Sequence, residues 1–310
     1  MTGSRHVERT PGLAQLARRQ HAVVTRAQLA GLGISARHVS GQLAARRWRA
    51  VTSDVVVLHC GPLPREAELW TAVLDARPPV ALGSWTGLAK HGLRGWDRAG
   101  THIVVPRGAK TRRIPGVVVH ESRRPAPEDI VQVDRLPVHT AERCAVDAAA
   151  WQDSPRTAVG LLAAVVQQRK ATPEGLWDQL DRVGQVRFRA LMRHSIADIQ
   201  GGSDALSEID LVRLCRRNGL PEPRRQERRV DSRGRHRYLD AEWDLRGGRR
   251  LVVEIDGIGH MDAARWYDDL LRDAELDTGD GTVRLRLPAV AARADPVRVL
   301  AILSRHLRSR

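Results

Sequence analysis

Lysine is nearly missing from this chain. It occurs only as Lys90, Lys110 and Lys170, so everything from Gly201 onward relies on arginine for fixed positive charge. Alanine is plentiful beside it, the pattern of a GC-rich coding bias, so arginine richness alone says little about function. Cysteine is scarce too. Cys60, Cys144 and Cys215 stand far apart and in no paired motif. That excludes a disulfide framework and a zinc site from the expectation, and it suits a reducing cytoplasm. No apolar run approaches the length of a membrane span, and the N-terminus lacks the apolar core of a signal peptide, so no membrane partner is expected. Internal repeats, low-complexity tracts and nucleotide-binding fingerprints are missing as well, and Gly247-Gly248 is far from a phosphate loop.

What is present is positive charge. The 310 residues carry 51 Lys+Arg against 36 Asp+Glu, a net charge of +15. Residues 1–85 hold 11 basic and 5 acidic side chains, which makes the N-terminal part proportionally the most basic. Such a balance points to a polyanionic partner, nucleic acid before an acidic membrane surface. The length suits two or three domains. The pattern predicts an α+β multidomain chain with parts at 1–62, 63–200 and 201–310.

From Gly12 the pattern is helical, with Leu13, Leu16 and Ala17 on one face. Thr25 and Gln28 have capping-box spacing and open a second short helix that stops at Gly31-Leu32-Gly33. Ser35 caps a third, ARHVSGQLAARRW, with Val39, Leu43 and Trp48 inward and Arg37, His38, Ser40, Gln42, Arg46 and Arg47 outward. Two β-rich pieces follow, Arg49 to Val51 and Val55 to His59, joined by Thr52-Ser53-Asp54. Three short helices and a hairpin outline a winged helix-turn-helix, whose later helix enters the major groove. Arg37, Arg46, Arg47 and Arg49 are then expected at phosphates or bases, with Gln42 as a base reader. A protein-docking module with solvated arginines is the other reading.

The middle is less informative. Helices are expected over Pro64–Ala76 and Ala81–His91, and strands over His102–Pro106 and Val117–His120. The basic turn between those strands carries Arg107, Lys110, Arg112 and Arg113; it reads as a solvated hairpin tip or as a phosphate contact. Trp70, Trp85, Trp96 and Trp151 read as core. Further helices begin at Thr140 and Pro155, and Pro173 to Ile199 reads as a helical link.

The chemistry concentrates between His236 and His260. LVVEID is an apolar, β-branched run, hence a buried strand. Glu254 and Asp256 are two apart in it and share a face. Asp240 lies on the preceding strand, YLDAEW. Three converging carboxylates repel one another unless a cation sits among them, and all-oxygen ligation suits Mg²⁺ or Mn²⁺. Pairing of these acids with Arg249 or Arg250 is the alternative. A two-residue turn at Gly247-Gly248 would pair Asp240 with Ile255, on the wrong face, so a metal site requires a longer loop or a bulge.

The surrounding order is α-β-β-β-α-β: a helix over Ser203–Asn218, a strand over Gln226–Val230, the two acidic strands, a helix over Asp262–Asp277 and a strand over Thr282–Leu287. A final amphipathic helix, Pro296–Leu307, turns Val297, Leu300, Ile302 and Leu303 toward the sheet. SEIDLVRLCRRNGLPEP, RYLDAEW, VVEIDGIGH and DLLRDAEL together resemble the restriction-endonuclease-type PD-(D/E)xK fold, and within it the family similar to very-short-patch-repair endonucleases. The resemblance covers roughly residues 201–310. It implies Asp240 and Glu254 as metal ligands, Asp256 and His260 lining the site, and Glu208 as the helix acid. The superfamily's usual lysine, two residues after the glutamate, is replaced here by Asp256. The very-short-patch-repair group is also lysine-free and employs histidine, which makes His260 the general acid/base. Arg265 and Arg272 on the following helix would clamp the phosphate, unless they pair with Asp262, Asp268 or Asp269.

TRAQLAGLGISARHVSGQLAARRWRAV likewise resembles the winged-helix domain of AbiEi-type antitoxins of type IV toxin–antitoxin systems. WTGLAKHGL and LPVHTAERCAVDAAA resemble the region that accompanies it in actinobacterial proteins. The combined expectation is a cytoplasmic DNA-binding protein with a Mg²⁺- or Mn²⁺-dependent endonuclease-like domain. The rivals are a non-enzymatic repressor on a decayed nuclease fold and an antitoxin that neutralises a toxin partner. A homodimer suits any of these readings.

Overall fold

The structure, a computed structural model, describes residues 11–124, 126–200, 204–224, 227–230, 236–239, 241–256, 276–277, 281–288 and 291–307. It is mixed α+β. Packing divides the chain into two units, Met1–Cys144 and Ala145–Arg310. No helix among the described residues is long and apolar enough to cross a membrane.

The first unit opens with α1 (Pro11–Arg19), β1 (Val23–Thr25), α2 (Arg26–Gly31), α3 (Ala36–Ala44), β2 (Arg49–Ala50) and β3 (Val55–Val57). The predicted capping box is present: Thr25 Oγ1 accepts from Gln28 N at 3.0 Å, and Gln28 Oε1 accepts from Thr25 N at 2.9 Å. Ser35 caps α3 through His38 N. The three strands form an antiparallel sheet in the order β1-β3-β2. Alternation along β1 and β3 sends side chains two ways. Val24, Val56 and Leu58 join Leu13, Leu29, Val39 and Trp48 in one core, while Val23, Val55 and Val57 enter another with Leu69, Trp70, Leu82 and Val138. The limit at residue 62 read from the sequence therefore falls where a single core runs across it.

That second core belongs to a five-stranded sheet. It is built from β4 (Ala81–Leu82), β5 (Thr101–Pro106), β6 (Val117–Ser122), β7 (Ile130–Val133) and β8 (Leu136–His139), ordered β6-β5-β4-β8-β7. The helices α4 (Arg65–Ala76), α5 (Ser84–Lys90) and α6 (Ala141–Ala150) accompany it. Two expectations are corrected here. The first two residues of the helix expected from Ala81 pair as strand, and the helix starts at Ser84. β5 and β6 are parallel, not a hairpin. Parallel strands require a crossover, so residues 107–116 form no hairpin tip but carry the chain back to the start of β6, with Arg107, Lys110, Arg112 and Arg113 still exposed. Arg112 on that crossover binds Asp54 Oδ2 at 3.1 Å and Asp75 Oδ1 at 3.2 Å. Arg77 also binds Asp54, and Arg26 Nε donates to Ser53 O at 2.8 Å. The turn between β2 and β3 is thus held by three arginines. The Arg77 and Arg112 hydrogen bonds keep the Asp54 carboxyl below its ordinary pKa.

In the second unit, α7 (Pro155–Gln167), α8 (Pro173–Val183) and α9 (Arg189–Ile199) pack together. The link expected over Pro173–Ile199 is two helices, broken at Gly184, whose φ of 68° suits glycine. Next come α10 (Asp204–Arg217), β9 (Glu227–Val230), β10 (His236–Leu239), β11 (Ala241–Asp244), β12 (Arg250–Asp256), β13 (Leu276–Asp277), β14 (Thr282–Pro288), α11 (Ala291–Ala294) and α12 (Pro296–Leu307). β9 and β10 form a separate antiparallel pair. The main sheet runs β11-β12-β14-β13, with β11 antiparallel and β14 parallel to β12. Of the helix expected over Asp262–Asp277, the described end, Leu276–Asp277, is strand paired to β14; the rest lies outside the described residues. On α12 the buried residues are Val299 and Leu303, whereas Val297, expected against the sheet, is 76% exposed.

Candidate functional site

The position of Glu254 follows from register. β11 and β12 are joined through Leu245–Arg249, closed by Leu245 N to Arg249 O at 2.8 Å, with Gly247 and Gly248 at φ of 72° and 75°. This loop is longer than the two-residue turn considered from the sequence. It pairs Asp244 with Arg250, Glu242 with Val252 and Ala241 with Val253. The ladder is therefore shifted by one residue from the register that would have turned the acids apart.

Alternation then sorts the sheet into two faces. Ala241, Trp243, Leu251, Val253, Val283, Leu285 and Leu287 share one parity, and all are buried. Glu242, Arg250, Glu254, Thr282, Arg284 and Arg286 share the other, which carries the charge. Glu254 stands opposite Arg286 in the parallel ladder. Its Oε1 is 3.3 Å from Arg284 Nη1, and its Oε2 is 3.6 Å from Arg286 Nε. These are longer than the 2.7–2.9 Å usual for a charge-assisted hydrogen bond. With the Glu254 side chain 25% exposed and both arginines more open, each pair contributes only about 0–1 kcal/mol. Of the three expected acids, Glu254 is the one whose side chain is described, and its arginine partners are not Arg249 or Arg250. Arg250 meets Glu242 at 3.5 Å, while Glu254 turns to β14.

Glu242 and the two β14 arginines are features the sequence reading passed over. Glu242 is only 5% exposed. Its signal was available in YLDAEW, where it sits two residues from Asp240 and so on the same side of a strand. TVRLRLP carries the arginine signal in the same way, since its alternation puts Arg284 and Arg286 on one face.

The remaining expected site residues are distributed as follows. Glu208 lies on α10 and Asp256 ends β12 opposite Pro288, but both side chains are outside the described residues. Asp240, His260, Arg265 and Arg272 lie outside them altogether. Among the described residues, no three His, Cys, Asp or Glu side chains converge in a way that would hold a metal. A cleft of about 560 Å³ opens at the loop end of the β11–β12 pair, lined by Glu242, Asp244, Arg246, Arg249 and His306 among others. Glu254, near the other end of β12, does not line it.

In the first unit, Arg37, Arg46 and Arg47 are exposed. Gln42 is not: it is 7% exposed, with its amide 3.1 Å from His38 Nε2. The reason is spacing. Gln42 follows Val39 by three residues and so falls on the inward stripe of α3. Arg49 is partly buried, and its Nε has no hydrogen-bond partner.

Comparison of the chain with protein-family models and with curated proteins finds no match.

Proposed function

We propose that the chain is a DNA-binding protein whose C-terminal residues form a Mg²⁺- or Mn²⁺-dependent endonuclease-like site. One observation carries this reading: the ladder that ends at Ala241↔Val253 has the parity a shared acidic face requires. In that register Glu242 and Glu254 share one face of the sheet, the face to which this reading assigns the metal ligands. The β11-β12-β14 order, antiparallel then parallel, is also in keeping with the resemblance to very-short-patch-repair endonucleases. In the first unit, the order α1-β1-α2-α3-β2-β3 and the sheet order β1-β3-β2 support a winged helix like that of AbiEi-type antitoxins. Exposed Arg37, Arg46 and Arg47 are its DNA contacts. Burial removes Gln42 from that role, and the clasp on Ser53 and Asp54 keeps the wing turn against its own unit.

An all-oxygen donor set fits a hard divalent cation. Glu254 would hold it with Asp240 and Asp256. The long contacts to Arg284 and Arg286 engage one oxygen each and leave acceptor capacity on the carboxylate. When bound, such an ion lowers the pKa of a coordinated water and offsets charge on the phosphate. The chain supplies the rest. Arg284 and Arg286 bring positive charge to the face where a phosphodiester would lie. His260 would take the proton from the attacking water or deliver one to the leaving oxygen. Incubation of supercoiled plasmid with the purified chain and Mg²⁺, Mn²⁺ or a chelator tests this, with nicking expected only with free metal.

A second reading is favoured by the same contacts. Glu254 already has two cationic neighbours, and the usual lysine position is Asp256. Both fit a nuclease fold that has become a DNA-binding platform in an antitoxin-like repressor. Salt-sensitive duplex binding without cleavage would be its signature.

A further inference from the structure

A second cleft, of about 470 Å³, lies within the first unit. Its size is that of a small-molecule site. β2 contributes Arg49 and Ala50, Val51 follows it, and α4 contributes Arg65, Glu68 and Thr71. The starts of β5 and β6, with Ile114 just before β6, complete it. The walls are fixed by backbone. Thr101 N donates to Gly116 O at 2.7 Å, and Gly100, at φ of 90°, comes so near that an added Cβ would sit 3.1 Å from that oxygen.

The charge inside is unbalanced. Arg65 has partners of its own, with Nη1 to Glu68 at 3.1 Å and Thr101 Oγ1 at 2.9 Å, and Nη2 to Gly100 O at 2.8 Å. Glu68 therefore already has its cation. Arg49 has no hydrogen bond or ion pair to its side chain among the described residues, and its Nε is buried without a partner. A guanidinium is always charged and has five donors to satisfy. Around it, Val51, Leu63, Ile114 and Val117 are aliphatic. One unmatched cation in a mainly apolar cleft selects a ligand with one negative charge and an apolar body.

We propose that this cleft binds a small organic monocarboxylate, with Arg49 as its counter-ion and the aliphatic wall as its specificity surface. Arg49 then serves a ligand instead of DNA. The cleft belongs to the first unit, so its test does not depend on any activity of the acidic strands.

The full chain is titrated with hexanoate and benzoate, and in parallel with hexanamide, benzamide and inorganic phosphate at matched ionic strength. Melting temperature and calorimetric heat are the readouts. At least one carboxylate, at about 10 mM, is expected to raise the melting temperature saturably by about 2–5 °C, while the neutral amides and phosphate do not. Arg49→Gln abolishes the shift. Since it removes an unpaired charge, it is expected to fold, which its melt without additive verifies. Ile114→Trp, which fills the cleft from the apolar side, abolishes the shift independently. Failure of both carboxylates on the native chain would overturn the proposal. So would a shift that survives in Arg49→Gln, or an equal shift from phosphate, which would indicate an unspecific anion site.

Discussion

The Glu254 carboxylate on β12 and the Arg284 guanidinium on β14 meet at 3.3 Å across a parallel strand pair, although the ladder partner of Glu254 is Arg286. One acid is thus bracketed by two cations two residues apart on the neighbouring strand. The arrangement has two consequences. It offsets a half-buried carboxylate, and it presents positive charge on the face where the acids lie.

If those arginines meet phosphate, Arg284→Ala and Arg286→Ala should each weaken duplex binding. Each should also reduce the slope of log affinity against log salt by about 1. Stability should change by no more than about 1 kcal/mol, because these are partly exposed pairs. Anisotropy titrations over a salt series check this. An unchanged slope would exclude the two arginines as phosphate contacts.

Arg112 links the turn at Asp54 to Asp75, whose side chain is 1% exposed. Arg112→Ala should lower the denaturation midpoint, mostly by leaving the buried Asp75 carboxylate without its cation. Adding Asp75→Asn should recover part of the loss. Denaturant melts of the single and double variants measure both effects, and equal losses in the two would contradict the pairing.

Acid should weaken the first unit. Burial first, then the charge of neighbouring His102, pushes His120 down to about 4; burial and then Arg143 push His139 to about 4, against Asp129. Burial also lowers His102. In the unfolded chain these groups titrate near 6.5. Between that pH and about 4 the unfolded state binds more protons, so stability falls as pH falls. Melting temperature should drop from about pH 7 to pH 5, and less steeply in His120→Phe. A pH-independent melt would contradict the burial of these rings.

Gly87 on α5 has no room for a side chain: a Cβ there would sit 2.3 Å from Cys144 Sγ on α6. Gly87→Ala should cost about 1–3 kcal/mol by overpacking, despite alanine's better helix propensity. Cys144→Ala in the same chain should relieve part of it. Thermal melts of the native chain and the two variants decide.

Local chemistry was readable in the sequence where one short segment decides the outcome. The Thr25–Gln28 box, the Ser35 cap and the strands at 250–256 and 282–288 depend on neighbours in the chain. What was not readable depends on distant parts. The parallel pairing of β5 with β6 follows from sheet order, which no turn residue announces. The clasp of Asp54 by Arg77 and Arg112 joins segments far apart in sequence. The β11–β12 register hinged on whether Leu245–Arg249 or only the glycine pair formed the loop, a difference of one residue that decides which acids share a face. Gln42 shows a different failure. Its polarity suggested solvent, while its spacing from Val39 assigned it to the core.

The most direct test of the acidic face is a plasmid assay with the Asp240→Ala/Glu254→Ala variant beside the native chain. The account predicts Mg²⁺- or Mn²⁺-dependent conversion of supercoiled DNA to nicked circles by the native chain. Chelator should stop it, and the variant should lack it while keeping its melting temperature and its DNA affinity. Absence of cleavage with either metal, while both proteins bind duplex equally, would contradict the nuclease reading and leave a DNA-binding regulator.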